Sequence, residues 1–318
     1  MEVFSELSVP HDFRPYFPTI LAFSKMGLNH ASAVVATSKI KHVKPVYLPT
    51  WEMIKKIVPQ KHWKDCKMTI PSISWLHMWL PKGKAWSSGV YASDREYFDD
   101  LASAFRAELK ALYDAGLRSV QVDDPNLTFF ISDDFRQGLR GDGIEPDVLL
   151  DLYIWAHNEA IKDVPADMHI GVHLCRGNNP HGPSYAQGSY EKIASRLFPR
   201  VNYATYFLEF DNPEVSGHFG PLRHVPKGKN VVLGVVSTKI AELEDKEALM
   251  RRVRDAAEAM AQGQGRSAEE VLQDSLAVSP QCGFASHHVS RGVETEERMW
   301  EKLVLVRDVA RAIWDDAI

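Results

Sequence analysis

The 318-residue sequence is poor in cysteine and has no long apolar run. Its three cysteines, Cys66, Cys175 and Cys282, are too few for a disulfide framework and indicate a reducing compartment. No apolar segment approaches the roughly 20 residues that span a membrane. The first residues show neither the basic region nor the apolar region of a signal peptide. These absences predict a cytoplasmic protein.

The sequence also lacks a strong excess of charge of either sign. The net charge is −5, and the hydrophobic and charged fractions of 45% and 25% are ordinary for soluble globular proteins. Short basic stretches such as Lys55-Lys56 lie among acids, as on a solvated helix face. The composition therefore indicates neither a nucleic acid nor a membrane as a partner.

From residue 68 onward, strand-like and helix-like segments alternate. Short apolar, β-branched runs are typical of strands covered on both faces, and they predict strands at Met68–Ile73, Ser119–Asp123, His169–Leu174, Tyr203–Phe210, Val231–Val236 and Leu276–Ser279. Helical spacing and capping residues predict helices over Asp94–Ala115 after a Ser93 cap, from Pro146, across Leu249–Met260, and across Met299–Ile313 after a Thr295 cap.

Alternating β and α units predict an α/β fold with a parallel sheet, either closed or doubly wound. A doubly wound sheet should carry a glycine-rich phosphate turn, and the sequence contains neither G-x-G-x-x-G nor a P-loop. Polar residues at the ends of several strands favour the TIM-type (β/α)8 barrel, whose sites gather on the C-terminal face.

The predicted barrel is incomplete at its N-terminal side. The sequence shows about six good strands, whereas a closed barrel of this type needs eight. A hairpin or strand around Ala33–Val43 is the one further candidate. We therefore predict a single domain over residues 1–318, with an atypical segment at 1–67 and successive β/α units from 68 to 318.

Three separated fragments carry the residue types of a metal site. His173 and Cys175 lie two apart on a predicted strand, so their side chains project from the same face. Glu209 ends an apolar strand, where a carboxylate needs a partner or water. Each of these residues and Cys282 also fits a structural role, since a buried cysteine commonly acts as a small apolar residue. Together they predict a Zn²⁺ site that can activate a thiol.

Charged residues that follow other strands are candidate substrate contacts. Asp123 and Asp124 end the strand Val120–Val122, where they could bind a substrate ammonium group or cap a helix or turn. Lys239 and Glu242 follow the strand that ends at Val236, and either the same ligand or the surface of the next helix would explain them.

Aromatic residues and histidines supply further candidates. Trp75, His77 and Trp79 could form a flat shelf for a heterocyclic ligand, or could pack a loop. His287 and His288 lie close to Cys282 in sequence and could replace a metal ligand, although exposure in a loop would explain them equally simply.

An ordered set of motifs resembles the cobalamin-independent methionine synthase family, in particular its catalytic C-terminal barrel and its short single-barrel relatives. The similarity runs from about Val34 to the C-terminus. The motifs that carry it are VQVDDP at 120–125, HLCRGN at 173–178, YFLE at 206–209, LGVVSTK at 233–239 and SPQCGF at 279–284.

The resemblance implies a zinc site made by His173, Cys175, Glu209 and Cys282, with a carboxylate at Asp123 that binds an amino acid. It implies a methyltransferase in which zinc holds the thiol of homocysteine as a thiolate. That thiolate attacks the methyl group of 5-methyltetrahydrofolate, and the pterin nitrogen receives a proton.

The chain also differs from the family pattern. The family's first two barrel strands, which carry further homocysteine contacts, have no counterpart here. Lys239, a catalytic candidate together with Asp123, stands where the long enzymes carry a histidine. His77 stands nearest to the position of the tryptophan that stacks on the pterin in the family.

Two alternative functions stay open: a catalytically impaired zinc-binding or interaction protein, or an enzyme that uses another thiol or methyl donor. The exposed edges of an open barrel predict a homo-oligomer.

Overall fold

The structure is a computed structural model that describes residues 2–8, 12–25, 27, 30–178, 184–285 and 292–314. The strands in these ranges are β1 (Glu2–Ser8), β2 (His30–Val35), β3 (Met68–Pro71), β4 (Ser119–Asp123), β5 (His169–Leu174), β6 (Thr205–Glu209), β7 (Asn230–Val236) and β8 (Leu276–Pro280).

Helices connect the strands. The α-helices of the described ranges are α1 (Pro18–Lys25), α2 (Leu48–Ile57), α3 (Trp75–Trp79), α4 (Asp94–Asp114), α5 (Asn126–Phe129), α6 (Asp133–Gly141), α7 (Pro146–Ile161), α8 (Glu191–Leu197), α9 (Pro213–Ser216), α10 (Lys246–Gln264), α11 (Ala268–Ser275) and α12 (Glu296–Ile313). Short 3₁₀ turns lie at Gln60–Asp65 and Gly220–His224. None of the helices in these ranges is both long and apolar enough to cross a membrane.

Three of the long helices begin where the sequence predicts. The Ser93 hydroxyl accepts a hydrogen bond from the backbone N–H of Glu96 at 3.2 Å and so caps α4. Thr295 caps α12 in the same way, by accepting from the N–H of Arg298 at 3.2 Å. Pro146 lies in the first turn of α7, where its missing N–H leaves no hydrogen bond unmade. These caps satisfy backbone donors that a helix leaves unpaired at its start.

The strands β3 to β8 form a six-stranded sheet in chain order. Three pairs have a defined register, β3 with β4, β6 with β7 and β7 with β8, and all three are parallel. Glu209 of β6 lies opposite Gly234 of β7, which in turn lies opposite Ser279 of β8. The α/β class is confirmed. Among the described residues the row is open at β3 and β8, so the TIM-type barrel, expected to be incomplete at its N-terminal side, stays a prediction.

The N-terminal segment differs from its prediction. β2 pairs antiparallel with β1 in a separate two-stranded sheet. The expected strand over Ala33–Val43 is wrong beyond Val35, where β2 ends and only an isolated bridge from Ala36 follows. The backbone bonds elsewhere beyond Val35, because the N–H of Ala36 donates to the carbonyl of Ala85 at 3.0 Å and the N–H of Ile40 donates to the Tyr91 hydroxyl at 2.6 Å.

The chain divides into two compact units. The first comprises Met1–Leu127 and Asp133–Gly171, and the second comprises Thr128–Ser132 and Val172–Ile318. Each has its own buried apolar side chains, including Tyr97 and Leu109 in the first and Leu208, Leu233 and Val253 in the second. The boundary falls inside β5 rather than in a linker, and the single-domain organisation stays a prediction.

Gly234 marks a close approach of backbones in the second unit. A Cβ atom at this position would lie 2.6 Å from the Cα of Gln281 and 3.0 Å from the carbonyl oxygen of Leu208. Both neighbours are main-chain atoms, so they cannot move aside as the end of a flexible side chain can. Glycine therefore lets the segment after β8 lie against β7, and this segment carries Cys282.

We expect Gly234→Ala to lower the free energy of unfolding by about 1–3 kcal/mol, because the added methyl group overpacks two backbones. Urea unfolding followed by circular dichroism measures the loss. Gly141→Ala is the matched control, because nothing lies within 4 Å of the Cβ that it adds. A Gly234→Ala protein as stable as the Gly141→Ala protein would contradict the close approach.

Candidate metal centre

Four side chains singled out in the sequence meet in the second unit, each at or just beyond the C-terminal end of a strand. His173 is next to last in β5, Cys175 follows β5 directly, Glu209 ends β6, and Cys282 follows β8. One donor atom from each lies within 4.8 Å of the donors of the other three. Bonds of roughly 2.0–2.3 Å place two donors of one ion at most about 4.6 Å apart. Small movements therefore suffice for all four to share one ion.

Burial divides the four donors into two kinds. Glu209 is fully buried and His173 is 5% exposed. Cys175 and Cys282 are half-buried, and neither forms a disulfide. His173 and Glu209 are therefore more buried, as whole residues, than the two cysteines.

The charges of the cluster fit a divalent cation. A hydrogen bond with Cys282, then burial and the charge of Glu209, raise the pKa of the Cys175 thiol well above its usual range. Burial also raises the pKa of Glu209, against the opposing effects of Lys239 and His173. Without a cation these groups resist carrying negative charge so close together, whereas a bound divalent ion favours their anionic forms. The cluster could thus bind a metal ion.

Lys239 lies beside the cluster. Its Nζ is 3.4 Å from Oε2 of Glu209, 3.6 Å from Oδ2 of Asp211 and 3.4 Å from Oγ of Ser184. Burial by itself lowers the pKa of Lys239, but the charges of Glu209, Asp211 and Cys175 outweigh burial and raise it. Lys239 is therefore a cation in direct contact with one of the four candidate ligands.

A chain of polar contacts connects Asp211 to the C-terminal helix α12. The Ser237 hydroxyl donates to Oδ2 of Asp211 at 3.0 Å, and the Ser237 N–H donates to Oε1 of Glu244 at 2.7 Å. Glu244 pairs with Lys302 of α12 at 3.1 Å, and the Lys302 side chain is fully buried. The C-terminal helix is thus linked through Glu244 and the neutral Ser237 to Asp211, which contacts Lys239.

A polar cluster that the sequence analysis missed ties the strand ends together. Gln281 is 2% exposed; its Oε1 accepts from the Thr238 N–H at 2.6 Å, and its Nε2 donates to Oδ1 of Asn178 at 2.9 Å. Nδ2 of Asn178 donates to the carbonyl of Gly283 at 2.7 Å. These bonds join the segments after β5, β7 and β8 on either side of Cys282. Amide side chains beside predicted ligands are the only sequence signal for this role.

Two other charged candidates, Glu242 and Asp124, lie where a structural role explains them better than substrate binding does. The Glu242 side chain is exposed. Asp124 is fully buried in the first unit and accepts from the Ser74 hydroxyl at 2.7 Å, from His157 at 2.9 Å and from the Leu127 N–H at 2.8 Å. Three such partners saturate this carboxylate in a folded core.

Asp123 has a different environment from Asp124. It is half-buried at the end of β4, and its Oδ1 accepts from Nε2 of Gln121 at 2.7 Å. Its carboxylate therefore keeps contact with solvent. The substrate-binding role predicted for Asp123 stays a prediction.

His77 and Trp75 lie in a short helix with packed aromatic surroundings. His77 is 4% exposed, and its two ring nitrogens contact the Tyr153 hydroxyl at 2.9 Å and Oδ1 of Asp94 at 3.1 Å. The ring of half-buried Trp75 lies 5.5 Å from that of Trp79, measured between centroids. The arrangement of His77 favours the packing alternative. His287 and His288 lie outside the described residues.

Two curated relatives come from Bacillus subtilis (strain 168), and both are uncharacterized. YxjH is 37% identical over 249 residues and YxjG is 35% identical over 250 residues. The alignments cover 78% of this chain, and the chain spans 61% of the length of each relative. No family model matches the sequence.

Solved structures extend the comparison. A protein of Listeria monocytogenes, described as a candidate vitamin-B12-independent methionine synthase, is 30% identical with a TM-score of 0.66, over 87% of this chain and 72% of that one. This chain belongs to the same family as the Listeria protein. A B12-independent methionine synthase from Shewanella sp. W3-18-1, solved in complex with selenomethionine, shares the fold with a TM-score of 0.63 at 18% identity, over 91% and 72% of the two chains.

We expect the stability of the protein to fall as the pH drops below about 6.5, in part because of His77. Burial lowers the pKa of His77 below its ordinary value of 6.5, and the hydrogen bond with Asp94 only partly offsets this. The unfolded chain therefore takes up a proton that the folded chain does not, and protons favour unfolding in that range. Urea unfolding at pH 7.5 and 5.5 measures the change.

Two variants separate His77 from the other titrating groups. His77→Gln should show a smaller difference in stability between the two pH values than the unmodified protein. His62→Gln, which replaces an exposed histidine of the same unit, should leave the difference unchanged. Equal pH dependence in all three proteins would count against a neutral, buried His77.

Proposed function

We propose that this chain is a zinc-dependent methyltransferase of the cobalamin-independent methionine synthase type, built on a TIM-type barrel and acting on a thiol. The observation that carries the proposal is the convergence of His173, Cys175, Glu209 and Cys282 at the ends of separate strands. Two sulfurs, one imidazole and one carboxylate are a ligand set suited to Zn²⁺, which brings no redox chemistry of its own.

The comparisons support the same reaction class. The related Listeria protein is described as a candidate vitamin-B12-independent methionine synthase. The Shewanella protein of the same fold was solved with selenomethionine, the selenium analogue of methionine. A homocysteine-like thiol as acceptor and a methylfolate as donor, which the family resemblance implies, are our proposed substrates. Self-association, predicted from open sheet edges, stays a prediction.

The residues of the centre would have distinct roles. A zinc ion held by these donors would keep a substrate thiol deprotonated at neutral pH once the thiol replaced one of the four ligands or added as a fifth. Lys239 would hold Glu209 through its 3.4 Å contact and place a positive charge beside the reacting sulfur. The role proposed for Asp123 of the first unit, binding of an amino acid's ammonium group, comes from the family resemblance. During transfer the sulfur bonds to the methyl carbon, the carbon–nitrogen bond of the donor breaks, and the leaving nitrogen takes up a proton.

Purified protein should contain about one equivalent of zinc, measured by inductively coupled plasma mass spectrometry. Cys175→Ser and Cys282→Ser should each retain less than about half of it, because a structural or catalytic zinc site depends on its thiolates for affinity. Cys66→Ser is the control, since Cys66 lies in the first unit and its thiol donates to the carbonyl of His62.

The metal analysis has a clear contrary outcome. Substoichiometric zinc in the unmodified protein, with no further loss in Cys282→Ser, contradicts the metal site. Equal loss in Cys66→Ser shows instead that cysteine replacement harms the protein in general.

The activity itself is tested by incubating the zinc-loaded protein with homocysteine and 5-methyltetrahydrofolate and measuring methionine by mass spectrometry. We expect Asp123→Asn to retain zinc and to raise the KM for homocysteine roughly tenfold or more, because it loses a charge-assisted contact of about 1.5–3 kcal/mol. Asp134→Asn, at an exposed acid of α6, should leave the KM unchanged.

Two results would redirect the proposal. Full zinc occupancy without methionine formation favours a zinc-binding or interaction protein that has lost catalysis. Methylation of a different thiol, or transfer from a different donor in a panel assay, keeps the scaffold and the centre but replaces the substrates.

A further inference from the structure

Tyr190 joins the two strand ends that carry three of the four donors. Its hydroxyl accepts the backbone N–H of Glu209 and donates to the carbonyl of Leu174, with both distances at 3.2 Å. Leu174 lies between the donors His173 and Cys175. One phenol oxygen is therefore bonded to the main chain of β5 within the His-x-Cys segment and to the main chain of β6 at its carboxylate.

The hydroxyl acts as a spacer at this point of the sheet. A hydroxyl can donate one hydrogen bond and accept another at the same time. Inserted between an N–H and a C=O, it holds two strand ends apart by the width of an oxygen atom while both backbone groups stay bonded. Tyr190 is fully buried, so water cannot easily take over either bond when the hydroxyl is removed.

Arg176 holds the Tyr190 ring in place. Its guanidinium carbon lies 4.1 Å from the ring centroid, in a cation–π contact. Nη1 of Arg176 donates to the carbonyl of Gly188 at 2.7 Å, and the side chain is 1% exposed. The backbone N–H of Arg176 donates to Oε1 of Glu209 at 3.1 Å. The same residue thus contacts both the spacer and the carboxylate that the spacer positions.

We propose that Tyr190 is a positioning residue of the metal centre, whose hydroxyl sets the separation between the His173–Cys175 pair and Glu209. This inference rests on the proposed metal site. Groups that orient the ligands of a metal contribute to its affinity although they do not touch it, typically by tenfold to a hundredfold. Sequence patterns give no sign of this role, because an isolated tyrosine before a helix fits ordinary packing.

The chain offers a matched pair of variants. Tyr190→Phe removes the spacer oxygen alone. Tyr206→Phe removes another fully buried phenol oxygen of the same unit. Its hydrogen-bond acceptors are the carbonyls of Phe198 at 2.8 Å and Val201 at 3.2 Å, and neither lies in a ligand segment. Both variants lose buried hydrogen bonds, and they differ in whether those bonds join ligand-bearing backbones.

Zinc affinity is measured by competition with a chromogenic chelator, and ligand geometry by the absorption spectrum of the cobalt(II)-substituted protein. We expect Tyr190→Phe to bind zinc about tenfold more weakly or worse, with altered visible bands for cobalt. Tyr206→Phe should keep the affinity and spectrum of the unmodified protein while its thermal midpoint falls comparably.

Equal zinc affinity in the two tyrosine variants overturns the positioning role and leaves the metal site intact. Failure of the unmodified protein to bind zinc removes the proposed function and this inference together, so the two failures are distinguishable. If Tyr190→Phe is recovered unfolded, Arg176→Lys serves in its place, since it loses the planar guanidinium on the ring and keeps the backbone N–H. Unchanged affinity and an unchanged cobalt spectrum in Arg176→Lys would then overturn the proposal.

Discussion

Parallel pairing of β6, β7 and β8 is the constraint on which the candidate centre depends. Parallel strands bring their C-terminal ends to one edge of a sheet, so residues far apart in sequence become neighbours there. The register aligns Glu209 with Gly234 and Gly234 with Ser279, three residues before Cys282. The absence of a side chain at Gly234 allows the chain after β8 to approach closely enough for that cysteine to reach the cluster.

Balance of charge is the second condition. Three of the donors are acids. A hydrogen bond with Cys282 and burial, together with the charge of Glu209, raise the pKa of Cys175, and burial raises that of Glu209, so both groups resist carrying negative charge. Lys239 offsets part of this charge by direct contact, and Asp211 helps to hold the lysine. A divalent ion would supply the rest. The centre thus combines a ligand set with a positive charge that is already present in the protein.

The first unit shows how the same residue types serve the core. Asp124 and His77 each follow an apolar strand, as functional residues of barrels often do. Both are nevertheless buried, and each has at least two hydrogen-bond partners. A buried polar group must be hydrogen-bonded to be tolerated, and these groups are. Asp123, one residue before Asp124, keeps access to solvent because successive side chains of a strand point to opposite faces.

The sequence by itself determined the alternation of strands and helices, the caps at Ser93 and Thr295, and the set of residues with metal-binding chemistry, because periodicity, capping and donor type are local properties. Only the tertiary structure decided which of those residues meet, and that Asp124 and His77 are saturated by partners from other elements. It also revealed the roles of Gln281 and Tyr190, whose hydrogen bonds join segments that no local pattern connects. Side-chain partners distant in sequence exist only once the sheet has formed.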